Sequence, residues 1–150
     1  MRRSPLQLLR YFVDEISCTA NPNYDLDRDL EVLEDQFKVT TAVRPPGHEE
    51  AEKRSWVVEM LIHQQIGPNQ NFPYEFKLSI VGFFDCYSKL PSALPTEYFV
   101  KVNGCSVLYG VAREMIRATT ARGPWSDVMI PTLSFYERSQ KSEVQDSVKK

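Results

Sequence analysis

Histidine, paired cysteine, a surplus of positive charge and any long oily run are what this sequence has little of. Eighteen basic side chains face 20 acidic ones over 150 residues, a net charge of −2. Without a basic excess there is no electrostatic footprint of the kind nucleic acid demands. The only histidines are His48 and His63. The cysteines Cys18, Cys86 and Cys105 are odd in number and share no metal-type spacing, which fits reduced thiols better than a disulfide framework. No GxSxG, GxxxxGK[ST], HExxH or CxxC pattern occurs, and no thiol has an adjacent histidine to activate it. The sequence therefore points away from an enzyme, a metal and a cofactor. No window reaches the ~18 uninterrupted apolar residues that span a bilayer. At the start, MRRSPLQLL is followed by Arg10, Asp14 and Glu15, which break a signal-peptide core. A soluble, unexported, cytoplasmic chain is expected, with neither membrane nor nucleic acid as a partner.

What is present is mostly alternation. LLRYFVDEISCTA, Leu8 to Ala20, is rich in aromatic and β-branched residues and stops at Asn21-Pro22-Asn23, which predicts a strand. The acidic NYDLDRDLEVLED that follows has no clean period and reads as a long crossover loop. Phe37, Val39, Thr41 and Val43 alternate with Lys38, Thr40, Ala42 and Arg44, the period of a half-buried strand. RPPGHEEAEKR then supplies a turn and a solvated charge run. In SWVVEMLIHQQI the apolar face is Trp56, Val58, Met60 and Ile62, with Glu59 and His63 opposite. After GPNQN, Phe76, Leu78, Ile80 and Phe84 resume the pattern, and Gly82 marks a bulge or a close backbone approach. Four strands in an antiparallel meander after a crossover are the expectation.

Beyond Tyr87 the period changes. SALPTEYFVKVNG predicts a short helix, with Pro95 in its first turn and Asn103-Gly104 ending it. A longer helix should follow, N-capped by Ser106 and stopped by Gly123-Pro124. Its apolar stripe is Leu108, Val111, Ala112, Met115, Ile116 and Thr119, with Arg113, Glu114 and Arg117 opposite. The fold class expected is α+β, a four-stranded antiparallel sheet with C-terminal helices. One domain covers residues 1–137, and the polar residues 138–150 form a flexible tail, too poor in apolar side chains to order itself.

Single residues with chemical potential have bland accounts. His48 and Glu52, four apart, could share a helical face and touch a metal, yet a solvated loop is the favoured reading. His63 beside Glu59 is a surface neighbour on a pleated face. Tyr24, Leu26, Leu30, Leu33 and Phe37, in or just after the crossover, either cover a core or line a groove. Trp125, Phe135 and Tyr136 would pin the last segment onto the sheet.

VLYGVAREMIRATTARGP followed by MIPTLSF resembles the end of the SecB family of chaperones, where a helix with an Ala-Arg-Glu triplet ends at Arg-Gly before a proline-containing apolar segment. RYFVDEIS is similar to that family's first strand, and SWVVEMLIHQQI and FKLSIVGFF to its third and fourth, so the resemblance runs from Leu6 to Tyr136. It implies a homotetramer, a dimer of dimers with helices between two sheets, acting as an ATP-independent holdase for unfolded polypeptides. The clients would be preproteins for export or a dedicated one such as an antitoxin of a toxin-antitoxin system. It also implies a client groove of Tyr24, Leu26, Leu30, Leu33, Phe37, Tyr98 and Phe99. The sequence departs from the family at Gly110-Val111, where Pro-Tyr is usual, and on the face that docks a translocation motor: of Glu15, Thr19 and Lys77 only the first is acidic. That departure predicts weak motor docking and makes the antitoxin branch credible beside the export one. The alternatives are an adaptor for one folded partner and a hot-dog-type thioesterase, whose wrapped helix comes early in the chain.

Overall fold

A computed structural model describes residues 1–30, 36–47, 55–87 and 94–137. Leu33, His48, Glu52 and the 138–150 tail fall outside the described residues. Four strands form one antiparallel sheet: β1 (Leu6–Ala20), β2 (Phe37–Arg44), β3 (Trp56–Gln64) and β4 (Tyr74–Cys86), in the spatial order β1-β4-β3-β2. Among the described residues a single helix, α1 (Thr96–Thr120), follows them. This is the expected α+β architecture, with β2, β3 and β4 as the meander and β1 returning beside β4.

The alternation seen in the sequence decides which face is buried. Val58, Met60 and Ile62 from β3 and Phe76, Leu78, Ile80 and Phe84 from β4 point to the inner face and pack against Val100, Cys105, Leu108, Ala112 and Ile116 of α1. On β2 the inner residues Phe37, Val39, Thr41 and Val43 are only half-buried, so the apolar layer thins toward that edge. Gly82 is a close approach: a Cβ there would lie 2.9 Å from the Phe84 ring and 3.0 Å from the Leu108 Cδ1. The bulges sit on β1 instead, between Leu8 and Arg10 and between Val13 and Glu15.

The helical region departs from expectation. α1 runs for 25 residues without a break at Asn103-Gly104. The Asn103 side chain donates to the Phe99 carbonyl one turn back, at 2.9 Å, so it remains inside the helix instead of capping an end. Gly104 is there because α1 crosses β3 closely; a Cβ would stand 3.1 Å from Val58. Ser106 is likewise no N-cap, since its hydroxyl donates to Val102 O at 2.6 Å in mid-helix. The helix starts just after Pro95, with no side-chain cap. Arg117 and Glu114 pair as their spacing predicts, at 2.6 Å. Arg113 departs from the expected solvent face in part: its Nε donates to Ile130 O at 3.1 Å, because the chain beyond α1 folds back along the helix.

Candidate functional site

Two asparagines on either side of the sheet's lower end fix the crossover. Asn21 closes β1: its N–H donates to Pro73 O at 2.8 Å, its side-chain Nδ2 to Phe72 O at 2.9 Å, and its Oδ1 accepts from Asn23 N at 2.9 Å. Asn71, only 2% exposed, sits in the β3–β4 connection and clamps the first part of the crossover. Its Oδ1 accepts from Asp25 N at 2.9 Å, while its Nδ2 donates toward the carbonyls of Asp25, Arg28 and Asp29 at 2.9, 3.1 and 3.2 Å. One buried side chain thus holds four backbone groups of an otherwise exposed segment.

The segment after α1 is tied to the same corner. The Tyr74 hydroxyl accepts from Trp125 N at 2.8 Å and donates to Trp125 O at 3.0 Å, and the Trp125 indole N–H donates to Asn21 O at 3.0 Å. Tyr24 meets the Trp125 ring edge-on at 5.5 Å. Gly123 lets this happen, for a Cβ there would run into the Tyr74 ring. Farther along, Val128 N donates to Thr120 Oγ1 at 2.9 Å, and the Tyr109 hydroxyl donates to Pro131 O at 2.6 Å. Burial pushes the Tyr109 phenol up to about 12, partly opposed by the nearby Arg113.

Between crossover and returning segment lies a cleft of ≈ 110 Å³, lined by Tyr24, Leu30, Phe37, Gln64, Phe72, Pro73 and the stretch from Ser126 to Pro131. Its walls are apolar apart from Gln64, Ser126 and Asp127, and Asp127 faces Arg117 at 3.5 Å. The volume is below the about 150 Å³ of an apolar cavity that admits benzene. One large apolar side chain is what it can take.

Of the groove residues named from the sequence, Tyr24, Leu30 and Phe37 meet in this cleft. Leu26 is 67% exposed and lies outside its lining. Tyr98 and Phe99 stand elsewhere, in the first turn of α1, where Tyr98 packs edge-on against Tyr136 at 6.2 Å and Phe99 leans on the core. Phe72, Pro73 and Met129, not singled out in the sequence, complete the walls. Proline 73 and the alternation of β4 were visible signals, but nothing local showed that the chain would return past residue 126 to face them.

Glu15, Thr19 and Lys77 share the outer sheet face, and Lys77 Nζ bonds Glu15 at 2.9 Å. The Glu15 carboxylate is thus paired with the lysine beside it. Farther along the same face Phe12 and Phe83 stack at 6.0 Å, with the Arg10 guanidinium over Phe83 at 4.4 Å. His63 also lies on this face, cross-strand from Lys38 and Lys77. Cys105 is buried against α1's core side, and burial pushes its thiol up. Among the described residues no cluster of three potential metal ligands occurs, and no helix is long and apolar enough to cross a membrane.

No family model matches the sequence, and no curated protein matches it. Solved structures do resemble it in fold. A Mycobacterium tuberculosis SecB-like chaperone, Rv1957, in complex with a ChAD peptide from the Rv1956 HigA1 antitoxin, aligns with a TM-score of 0.57 at 13% identity, over 85% of this chain and 90% of that one. A protein of unknown function from Streptococcus agalactiae aligns with a TM-score of 0.50 at 12% identity, over 84% of this chain and 96% of that one. The fold is therefore SecB-like.

Proposed function

We propose that this chain is an ATP-independent holdase of the SecB-like kind, which holds non-native polypeptide segments and, as a dedicated client, an antitoxin. The observation that carries this reading is the apolar cleft between the crossover and the Ser126–Pro131 stretch, with Leu30 and Met129 still exposed at its mouth. Seating one apolar side chain there is worth about 1.5–3 kcal/mol, too little to hold a client alone. Several clefts on one assembly would hold a long chain by avidity, and a binder selective for unfolded chains draws on that population by mass action. The neighbour solved with an antitoxin peptide supports a polypeptide client.

In this reading the protein works in the cytoplasm as a homotetramer. Supporting it, β1 is an edge strand that exposes Leu9, Tyr11, Phe12 and Ile16, the kind of surface a second copy covers. The Glu15–Lys77 pair supports weak docking of a translocation motor, because a rim charge already neutralised steers a partner poorly. A thioesterase is disfavoured by the helix lying after all four strands.

Suppression of aggregation of two unrelated denatured proteins, set against binding to their native forms, tests the reading. Suppression by the wild-type chain, lost in Leu30→Glu, is expected. Binding to native partners alone would replace the holdase by an adaptor for one folded protein.

A further inference from the structure

Of the inward-facing positions on β3, Trp56, Val58, Met60 and Ile62 are apolar and Gln64 is not. In the cross-strand row Gln64 lies between Phe37 of β2 and Phe76 of β4. It is 1% exposed and belongs to the lining of the cleft. Its Nε2 donates to Gln65 O at 2.7 Å, which orients the carboxamide, because a carbonyl can only accept. Oε1 is therefore turned away from that carbonyl, and no described residue donates to it. Every fully shielded polar side-chain atom among the described residues has a partner. An oxygen without one keeps a small contact with solvent, and for a residue that lines the cleft this contact opens into the cleft. A carboxamide oxygen held there without a donor costs free energy that an apolar side chain in its place would not.

Resting on the holdase reading, we infer that Gln64 makes the cleft select a client tyrosine over a phenylalanine, the phenol donating its hydrogen bond to Gln64 Oε1. A side chain that fills the cleft strips the last water from that oxygen. A purely apolar one leaves it unsatisfied, whereas one that ends in a donor replaces the water. Three observations single out tyrosine among the donors. Tyr24, Phe37 and Phe72 present rings on the walls, against which another ring packs edge-on. At ≈ 110 Å³ the cleft admits the hydroxyl-bearing end of one ring through its mouth, and a two-ring indole exceeds it. An ammonium or guanidinium needs a carboxylate to offset its lost hydration, and the one acid among the described lining residues, Asp127, already faces Arg117 at 3.5 Å. Gln64 thus reads the chemistry at the end of the client side chain, where the rings read only its shape.

The test uses the full chain, isotope-labelled, and capped glycine-serine peptides that differ only in one central residue: tyrosine, phenylalanine, 4-fluorophenylalanine or lysine. Affinity is read by NMR from the Gln64 side-chain amide and the Phe72 and Met129 backbone amides. The tyrosine peptide should bind about tenfold more tightly than either phenylalanine peptide, and the lysine peptide most weakly. Gln64→Met keeps the length of the side chain without the acceptor, and Gln65 is exposed, so water takes the carbonyl that Nε2 leaves. In this variant the tyrosine and phenylalanine peptides should bind within about twofold of each other, the second more tightly than to wild type. Equal affinities for the two in the wild-type chain would overturn the inference, whatever the variant does. A tyrosine preference that survives Gln64→Met would overturn it too, as would tightest binding of lysine, or no binding of any peptide by a chain that still suppresses aggregation. Failure to suppress aggregation at all is a different result, and it removes the holdase reading itself.

Discussion

Replacing Asn71 by alanine should release the crossover while leaving the sheet intact. The side chain offers one acceptor to Asp25 N and two N–H groups shared among the carbonyls of Asp25, Arg28 and Asp29. Three hydrogen bonds at about 0.5–1.5 kcal/mol each give a loss of about 1.5–4.5 kcal/mol. The lower half of that range applies, because the crossover is mostly exposed and water can replace the lost partners. A local loss of about 2 kcal/mol corresponds to roughly 30-fold faster hydrogen exchange at the Asp25 amide. Exchange measured residue by residue should rise there, while the Ile62 and Leu78 amides of the sheet interior keep their protection. Cleavage at Arg28 by trypsin should quicken in parallel, and aggregation suppression should weaken because one wall of the cleft has gone. Unchanged exchange at Asp25 in the variant would refute the clamp.

Other expectations separate close packing from open surface. Gly110 has no atom within 4 Å of a built Cβ, so Gly110→Ala should raise stability by about 0.5–1 kcal/mol, whereas Gly104→Ala must push against Val58 at 3.1 Å and should lower it; chemical denaturation compares the two. Asn69 holds a positive φ of 64° in the β3–β4 turn, so Asn69→Val should cost about 1–2 kcal/mol and Asn69→Gly nearly nothing, read as midpoints of thermal melts. Tyr109 holds its proton up to about 12, above its unfolded value, so its share of the stability is complete below pH 10 and drains away as pH climbs from there toward 12. Urea midpoints at pH 9 and pH 11.5 should show a drop for the wild type that is smaller in Tyr109→Phe.

Strands β2, β3 and β4 were legible because in each the more covered face alternates with the more exposed one, so Phe37, Met60 and Leu78 could be assigned to the inner side from spacing alone. β1 could be read as a strand but not resolved into faces, since its two bulges change which side an odd residue occupies; that is why LLRYFVDE shows no alternation. The continuous helix was hidden by Asn103-Gly104, a pair that ends helices in general and here is retained by a side-chain bond to Phe99 O and a tight crossing of Val58. The cleft was half visible. Tyr24, Leu30 and Phe37 stand out as aromatic and aliphatic residues in an acidic stretch, but Asn21, Asn71, Tyr74 and Trp125 make their bonds across separations of 42 to 104 residues, and no local pattern announces such bonds.

The irregular first strand has a further effect on how the gene could be shortened. At each bulge two residues oppose one on β4, and the surplus ones are Leu9 and Asp14. Deleting either would restore an even ladder and leave Leu8, Tyr11, Val13, Ile16 and Cys18 on the same side of the sheet as their β4 partners Phe84, Gly82, Ile80, Leu78 and Phe76. Excising Phe12 instead would invert one portion of the strand relative to the other. β1 therefore contains two spare letters, and losing one of them should be better tolerated than losing a neighbour.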